Sequence, residues 1–402
     1  MDVLNTSTLL YVTQSRQENL DKLIGHRFSE ALSWRKYFKN VIILFYSSTN
    51  NYLFKKIFNN AYMIGIPFDL SPSTFKSIFN LGRNYLNLLL FLYKLIKKIK
   101  IDIIRLENIV ISGPPVFLIS KLKKIPEVLW LGGYEKQAIF AKYKKNLLTW
   151  FMTKFIILYE TLILKNANFI YPVSDELLDL VKKRTVNNFY LSPNYVDLSV
   201  FIDKHDNDLI SKDIISLIYV GRFEEEKGIK ILLRSIKILS NKNTKFELIL
   251  VGDGTLRNWI INFIEYNKIK NVRILGLIDY KDMPNIYNMA DIFLLPSLTE
   301  GSPGSIIEAM GCGTAIICTA VGECPKIIKN GINGLIVEPG NPQIFADAIL
   351  NLMNNRSLIS EFRKNGRISA VKRTKNYMKI HKFVYEKILK FKSLKIQDQK
   401  EF

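Results

Sequence analysis

Short apolar segments alternate with longer stretches of helical spacing along this chain, and that alternation restricts the possible folds more than any other feature. In the C-terminal half, Leu217 to Val220, Phe246 to Val251 and Ile292 to Leu295 have the length and composition of buried strands. Strands that alternate with helices build βαβ units around a parallel sheet. The sequence therefore predicts an α/β fold, and its 402 residues are enough for two domains.

The N-terminal half has the same alternation. Thr8 to Val12 and Val41 to Phe45 are predicted strands, and the segment from Lys22 to Phe38 between them has helical spacing. Near the C-terminus we predict a helix from Asn376 to Phe391. Its apolar stripe consists of Ile380, Phe383, Val384 and Ile388.

The formal net charge is +21, and residues 51–150 contribute much of it with 16 basic and 5 acidic side chains. Such an excess attracts an anionic partner, and we favour a membrane surface over nucleic acid. A general bias of the genome towards lysine is the alternative. That bias does not account for the lack of acidic residues between positions 76 and 100.

Two helical segments of this basic region combine apolar, aromatic and lysine side chains. They are Tyr85 to Ile99 and Leu147 to Leu164, and four lysines in or near them are candidates for contact with lipid. These are Lys97, Lys98, Lys144 and Lys145. An ordinary core helix with a solvated lysine rim fits the same pattern, so both interpretations stay open.

The three cysteines, Cys312, Cys318 and Cys324, are odd in number and fit no zinc spacing, which indicates reduced thiols and no metal site. The sequence begins without a basic segment followed by an apolar run, and no apolar stretch reaches about 20 uninterrupted residues. We expect a cytoplasmic protein, peripheral on the inner face of the cell membrane where the basic helices touch lipid.

The loop after Ile292 to Leu295 is rich in small residues and is followed by a helix. In open parallel sheets, ligands bind at the carboxyl ends of strands, and the start of a helix suits a phosphate. Glu300 lies in this loop, and Glu308 lies one turn inside the helix, where a carboxylate can accept hydrogen bonds from a ribose diol. Taken alone, Ser305 and Glu308 are also a capping box, and that alternative is the more common one.

A second loop, Gly221 to Gly228, follows another predicted strand and brings two cations to the same edge of the sheet. Arg222 and Lys227 can neutralise a diphosphate and stabilise it as a leaving group. The alternative is an ordinary surface loop. A third element, Gly252-Asp253-Gly254, is a weak signal by itself.

Together these residues resemble the retaining glycosyltransferases of family 4, which have the two-lobed GT-B fold. The similarity is strongest over residues 217–350, and Glu300 and Glu308 have the E-x7-E spacing of that family. The other matching pieces follow in the order of the family. They are Tyr219-Val220-Gly221-Arg222, Lys227-Gly228, Val251-Gly252-Asp253-Gly254, Gly276, Met283, Tyr287, Gly301-Ser302-Pro303, Val321-Gly322 and Asn330-Gly331.

This resemblance implies two Rossmann-like βαβ domains that face each other across a cleft, an acceptor-binding one at 1–200 and a nucleotide-sugar-binding one at 201–375. The segment 376–402 is expected to return to the N-terminal lobe as a helix. The implied activity is sugar transfer with retention, without a metal or other cofactor, from a nucleotide-diphosphate sugar to a glycan or polyprenyl-linked acceptor in cell-surface polysaccharide biosynthesis.

The resemblance also implies roles for individual residues. Arg222, Lys227 and Glu300 are the implied catalytic residues. The donor is implied to contact Gly221, Arg222, Lys227, Gly252, Asp253, Ile278, Ser302, Pro303, Gly304, Ser305 and Glu308. The candidate acceptor residues are Ser15, Arg16, Gly132 and Gly133.

The chain departs from the family at several positions, including Glu323 after Gly322 and Tyr195 in the interlobe motif. Two other functions stay open. A nucleotide-sugar epimerase has the same fold but requires acid and base groups over the donor sugar, and the N-terminal lobe offers no obvious carboxylate pair. A catalytically inactive, membrane-associated scaffold would not need the four charged residues Arg222, Lys227, Glu300 and Glu308.

Overall fold

The chain is divided into two units, each built on its own sheet of mainly parallel strands, in the computed structural model. One unit consists of Met1–Pro193 with Met378–Phe402, and the other of Asn194–Tyr377. The structure describes residues 3–17, 26–47, 51–67, 76–107, 109, 112–132, 147–185, 188–192, 194–205, 213–242 and 244–398. We call the two units unit 1 and unit 2.

The sheet of unit 1 has seven strands in the order β3-β4-β2-β1-β5-β6-β7. All neighbouring strands are parallel except β3 and β4. The strands are β1 (Thr8–Gln17), β2 (Asn40–Ser47), β3 (Leu53–Phe58), β4 (Ala61–Pro67), β5 (Ile103–Leu106), β6 (Glu127–Leu131) and β7 (Phe169–Pro172). The described helices are α1 (His26–Ser33), α2 (Lys76–Lys98), α3 (Gly113–Leu122), α4 (Leu147–Asn166) and α5 (Asp175–Arg184).

In unit 1, one hairpin was not predicted, and one predicted helix ends earlier than expected. The antiparallel hairpin of β3 and β4 was not predicted, because the segment from Leu53 to Phe58 lacks the alternation of apolar and polar residues that marks a strand. Helix α1 ends at Ser33 and continues as a 3-10 turn over Trp34–Lys36, so the regular helix stops before Phe38. Residues 18–25, which include the predicted start of this helix, lie outside the described residues.

The sheet of unit 2 has six parallel strands in the order β10-β9-β8-β11-β12-β13. They are β8 (Ile215–Val220), β9 (Phe246–Val251), β10 (Val272–Gly276), β11 (Ile292–Leu295), β12 (Ala315–Thr319) and β13 (Leu335–Val337). The helices are α6 (Ile229–Ser240), α7 (Arg257–Tyr266), α8 (Met283–Tyr287), α9 (Gly304–Gly311), α10 (Cys324–Ile327), α11 (Pro342–Met353) and α12 (Arg356–Asp398).

Both faces of this second sheet are buried, because successive side chains of each strand point to opposite sides. Leu217 and Leu248 pack with apolar residues of α6 and α11 on one face. Ile218 and Ile249 pack with residues of α9 on the other. The strands are therefore short, continuous apolar runs, which is the pattern from which they were predicted.

Helix α12 is much longer than predicted, since it begins at Arg356 and is continuous through Asp398. Its C-terminal part belongs to unit 1, as expected for a helix that returns to the first lobe. The predicted apolar stripe is partly wrong, because Phe383 is 63% exposed. Val384 is buried as predicted, and the other buried residues of this part are His381, Tyr385 and Leu389.

Candidate functional site

The two loops that carry the predicted charges follow the adjacent central strands of unit 2. The pairs Ile292 with Leu217 and Phe293 with Ile218 place β11 beside β8, and strand order reverses between them. Such a reversal is where ligands bind in open α/β sheets. Gly228 (φ +67°) lies so close to the loop after β11 that a Cβ would stand 1.9 Å from the carbonyl oxygen of Pro296.

Lys227 and Glu300, predicted from separate segments, form an ion pair at this edge. The distance from Lys227 Nζ to Glu300 Oε1 is 2.7 Å, and Ser297 Oγ donates to the same oxygen at 2.8 Å. Only 20% of the Lys227 side chain and 8% of the Glu300 side chain are exposed. A cation and an anion are thus fixed side by side within reach of a ligand at the strand ends.

Arg222 follows β8 but is turned to a different partner. Its guanidinium donates to Glu226 Oε1 at 2.7 Å, and its side chain is 66% exposed. The backbone of Arg222 is fixed to the core, since the buried Tyr219 hydroxyl donates to the Arg222 carbonyl oxygen at 2.8 Å. Burial raises the pKa of Tyr219, so this hydroxyl keeps its proton. The arginine head is therefore near the strand end and free of the core.

The loops after β8, β9 and β10 pack on one another through glycines. Gly252 (φ +137°) leaves no room for a Cβ, which would stand 1.9 Å from the Gly221 carbonyl oxygen. The Gly252 N–H donates to the Gly276 carbonyl at 2.8 Å. Asp253 pairs with Arg257 across 3.6 Å. Ile278, two residues after Gly276, is half-buried against the core.

The segment from Ser302 to Ser305 carries the start of α9. The Asn194 side-chain amide donates to the Ser302 carbonyl oxygen at 2.6 Å, and its backbone N–H donates to Ser302 Oγ at 3.2 Å. Helix α9 begins at Gly304, and its N-cap is Pro303 without a side-chain cap. The N–H groups of the first turn are therefore directed out of the helix beside the loop, which is an arrangement that suits an anion.

The capping-box interpretation of Ser305 and Glu308 is wrong, because Ser305 is inside the helix. Glu308 is buried and accepts a hydrogen bond from the Tyr287 hydroxyl at 2.8 Å. Burial raises its pKa to about 7, although the hydrogen bonds from Tyr287 and Tyr280 oppose that shift. The Glu308 carboxyl is therefore a buried hydrogen-bond acceptor for a tyrosine and does not cap the helix.

The candidate acceptor residues of unit 1 are only partly described. Gly132 follows β6, and a Cβ at this position would stand 2.3 Å from the Trp130 ring. Gly133 lies outside the described residues, and so do the side chains of Ser15 and Arg16, whose backbone forms the end of β1. The role of these four residues stays a prediction.

In the described part of the chain, no group of three His, Cys, Asp or Glu side chains is placed to hold a metal ion. Cys312, Cys318 and Cys324 are buried and form no disulfide. Within the same residues, no helix combines the length and the hydropathy needed to cross a bilayer.

Sequence reasoning missed the residues that hold the charged side chains in place. Ser297 orients Glu300, Tyr287 orients Glu308, and Asn194 holds the loop before α9. Of these three residues, only Tyr287 is among the motif residues named from the sequence. A hydroxyl two residues after a buried strand, as at Ser297, is the one local signal that could have indicated such a role.

A known protein family matches most of unit 2. Residues 201–369 match the family model described as "Glycosyl transferases group 1". The chain is 32% identical over 150 residues to the uncharacterized glycosyltransferase MJ1178 of Methanocaldococcus jannaschii, covering 37% of this chain and 41% of that protein. It is 31% identical over 149 residues to the capsular polysaccharide biosynthesis glycosyltransferase CapM of Staphylococcus aureus, covering 37% and 39%.

A longer match is to the UDP-Gal:alpha-D-GlcNAc-diphosphoundecaprenol alpha-1,3-galactosyltransferase of Escherichia coli. The identity is 26% over 285 residues, which cover 67% of this chain and 71% of that enzyme. The matches to MJ1178 and CapM span only about two fifths of the length of those relatives. The match to the family model, over residues 201–369, lies within unit 2.

Solved structures extend the similarity of fold to the whole chain. Sucrose-phosphate synthase from Thermosynechococcus elongatus superposes with a TM-score of 0.74 at 18% identity, covering 95% of this chain and 99% of that one. Anabaena HepE, solved in complex with UDP and glucose, has a TM-score of 0.66 at 16% identity, covering 95% and 99%. The chain therefore has the GT-B fold, and its residues 201–369 match the glycosyl transferases group 1 family.

Proposed function

We propose that this protein transfers a sugar, with retention of anomeric configuration, from a nucleotide-diphosphate sugar to a glycan acceptor. The observation that carries the proposal is the ion pair of Lys227 and Glu300 at the ends of β8 and β11. This ion pair supports the proposal because it lies at the reversal of strand order, where ligands generally bind in open α/β sheets. Helix α9 begins at Gly304, directly after the loop that carries Glu300.

Each group has a role that its chemistry supports. Lys227 and Arg222 neutralise the diphosphate as it leaves, and the N–H groups at the start of α9 bind its oxygens. Glu300 accepts hydrogen bonds from hydroxyls of the donor sugar. Glu308 accepts hydrogen bonds from the ribose, as acidic residues do in dinucleotide sites. The transition state gains oxocarbenium-ion character as the diphosphate departs.

We propose that these cations act without a metal ion, since Lys227 and Arg222 supply the positive charge that a departing diphosphate requires. Transfer would then persist in excess EDTA. A loss of activity with EDTA that Mg²⁺ or Mn²⁺ restores would contradict this part of the proposal.

We propose a UDP-sugar as the donor and a polyprenyl-linked glycan at the cytoplasmic face of the membrane as the acceptor. The name of the E. coli relative contains both a UDP-sugar and a diphosphoundecaprenol acceptor, and HepE was solved with UDP. The CapM relative is named for capsular polysaccharide biosynthesis. These names support a place in the assembly of a cell-surface polysaccharide.

The first test is binding. A thermal-shift screen against UDP, GDP and ADP should give a rise in the melting temperature with one of them, because a ligand that binds only the folded state stabilises it. Arg222→Ala and Glu308→Gln should weaken that binding by about tenfold or more. Glu265→Gln, an exposed position on α7, is the matched control. Unchanged affinity in both site variants would refute the site.

The second test separates the three activities. The protein is incubated with the bound nucleotide sugar, alone and with lipid-linked glycans, and the products are followed by NMR of the anomeric carbon. A new glycosidic bond with the donor configuration supports a retaining transferase. An isomerised donor in the absence of acceptor identifies an epimerase, and an unchanged donor under every condition identifies an inactive scaffold.

A further inference from the structure

Helix α2 of unit 1 has two apolar stripes on opposite sides, and only one of them is buried. Leu88, Leu92 and Leu95 form the buried stripe. Leu86, Leu90 and Tyr93 follow the spacing i, i+4, i+7, so they share a second stripe, which is exposed. A helix that serves only the fold needs one apolar stripe, so the second one requires another explanation.

Helix α3 packs against α2 and continues this exposed surface. Leu118 and Leu122 lie one turn apart and are exposed. Tyr93 links the two helices, because its ring centroid is 4.6 Å from Lys97 Nζ on α2 and 5.1 Å from Lys123 Nζ just after α3. The exposed fractions of the five apolar side chains lie between 40% and 67%. We call Leu86, Leu90, Tyr93, Leu118 and Leu122, with Lys97 and Lys123, the α2–α3 face.

The charge of this surface has one sign. The sequence has no acidic residue between Asp69 and Asp102, where it has six basic ones, and none between Glu107 and Glu127, where it has three. The charged residues of α2 and α3 are therefore all basic. Two ammonium groups, those of Lys97 and Lys123, lie beside the Tyr93 ring. This combination separates the α2–α3 face from an ordinary solvated helix surface, on which the two charge signs are mixed.

We propose that the α2–α3 face binds the surface of an anionic lipid bilayer. Apolar side chains on one side of a helix enter the boundary between headgroups and acyl chains, and lysines around them contact the anionic headgroups. Lysine can lay its aliphatic stem along the apolar layer and keep its ammonium group at headgroup level. The proposal rests on the proposed function at a membrane, and it assigns the contact to these residues.

The test is sedimentation of the full chain with vesicles of phosphatidylcholine, either alone or mixed with about 30% of the anionic lipid phosphatidylglycerol. Wild type should bind only the anionic vesicles, and added salt should release it. Lys97→Glu/Lys123→Glu should lower the partition coefficient by at least about 20-fold. Leu90→Ser/Tyr93→Ser/Leu122→Ser should lower it by about tenfold at low salt.

Two matched controls lie on unit 2. Lys237→Glu/Lys270→Glu changes the net charge equally on exposed positions, and Tyr266→Ser removes an exposed tyrosine. Both should bind vesicles like wild type. The proposal is overturned if the variants of the α2–α3 face bind like wild type, or if the controls lose as much binding. It is also overturned if wild type dimerises and the leucine variant is monomeric, since a second copy would then cover the face.

The thermal shift with nucleoside diphosphates is measured on the same proteins without vesicles. Variants of the α2–α3 face that have lost vesicle binding should keep the shift and the circular dichroism of wild type. Absence of any nucleotide shift in wild type would count against the proposed function and leave the vesicle result standing.

Discussion

Nζ of Lys227 lies 2.7 Å from Oε1 of Glu300, and this ion pair connects the loops that follow the two central strands of unit 2. The Glu300 carboxylate is the more buried partner and also accepts from Ser297. Removal of one member of such a pair leaves the other charge poorly solvated, whereas removal of both does not. The pair is therefore both a structural contact and the charged centre of the candidate site.

Lys227→Met should lower the free energy of unfolding by about 1–3 kcal/mol, because Glu300 loses its counter-charge in a partly buried place. The double variant Lys227→Met/Glu300→Gln should lose less than the sum of the two single variants. Urea denaturation of the four proteins measures this. Lys230→Met, whose partner Glu225 is exposed, should change stability by less than about 0.5 kcal/mol. Strict additivity in the double variant would contradict the coupling.

Glu308 should make the protein more stable at mildly acidic pH. Burial raises its pKa from 4.5 to about 7, so the folded state takes up a proton at a pH where the unfolded state does not. The free energy of unfolding should therefore rise as pH falls from about 7 to about 4.5, by up to about 3 kcal/mol. Above pH 7 this contribution is absent.

Urea denaturation at pH 5.5 and pH 8 compares wild type with Glu308→Gln, in which the dependence should be weaker. The pKa of Glu127 is also raised to about 7 by burial, and its contribution cancels in the comparison because both proteins retain it. Glu265→Gln should behave like wild type. Equal pH dependence in wild type and Glu308→Gln would show that Glu308 is ionised in the fold.

The strands of unit 2 and the convergence of Lys227 and Glu300 could be predicted from sequence for one physical reason. In a parallel sheet buried on both faces, strands are continuous apolar runs, and their carboxyl ends lie on one edge. Residues that follow two such runs must then be neighbours if the runs are adjacent. For β8 and β11, the expectation that the two strands are adjacent came from the resemblance to the family, in which both loops line the same cleft.

Other features could not be predicted, because they depend on contacts between distant residues. The start of α12 at Arg356 was missed since its first twenty residues are too charged for a clear apolar stripe. The environment of Glu308 depends on Tyr287, which lies 21 positions earlier. Local spacing favoured a helix cap at Glu308, and only the tertiary fold distinguishes a cap from a buried acid.

Gly322 should be intolerant of a side chain for a reason that Gly331 does not share. Both have left-handed backbones, with φ of +52° and +74°, but a Cβ at 322 would stand 1.9 Å from the Glu300 carbonyl oxygen, whereas space at 331 is open. Gly331→Ala should cost about 1 kcal/mol from backbone strain alone. Gly322→Ala should cost clearly more and weaken nucleotide binding, because the Glu300 loop must move. Equal losses in denaturation and binding assays would contradict this contact.

Arg105 should be essential for docking the end of α12 on unit 1. Its guanidinium lies 2.7 Å from Glu30, 3.2 Å from Nδ1 of His381 and 3.3 Å from the Tyr385 hydroxyl, in a fully buried place. Burial, with the adjacent Arg105 charge, holds the pKa of His381 well below its usual range, so Nδ1 of the neutral ring accepts from Arg105. Nε2 of the same ring is 2.6 Å from Ser192 Oγ.

Arg105→Met removes the donor for His381 and leaves the Glu30 carboxylate buried without its cation, so the free energy of unfolding should fall by about 3–5 kcal/mol. Glu30→Gln/Arg105→Met should recover part of this loss, since the Glu30 charge that Arg105 neutralises is then removed as well. Arg184→Met breaks the more exposed pair with Glu160 and should cost less. Urea denaturation measures all three. Arg105→Met within about 1 kcal/mol of wild type would mean that apolar packing alone holds α12 on unit 1.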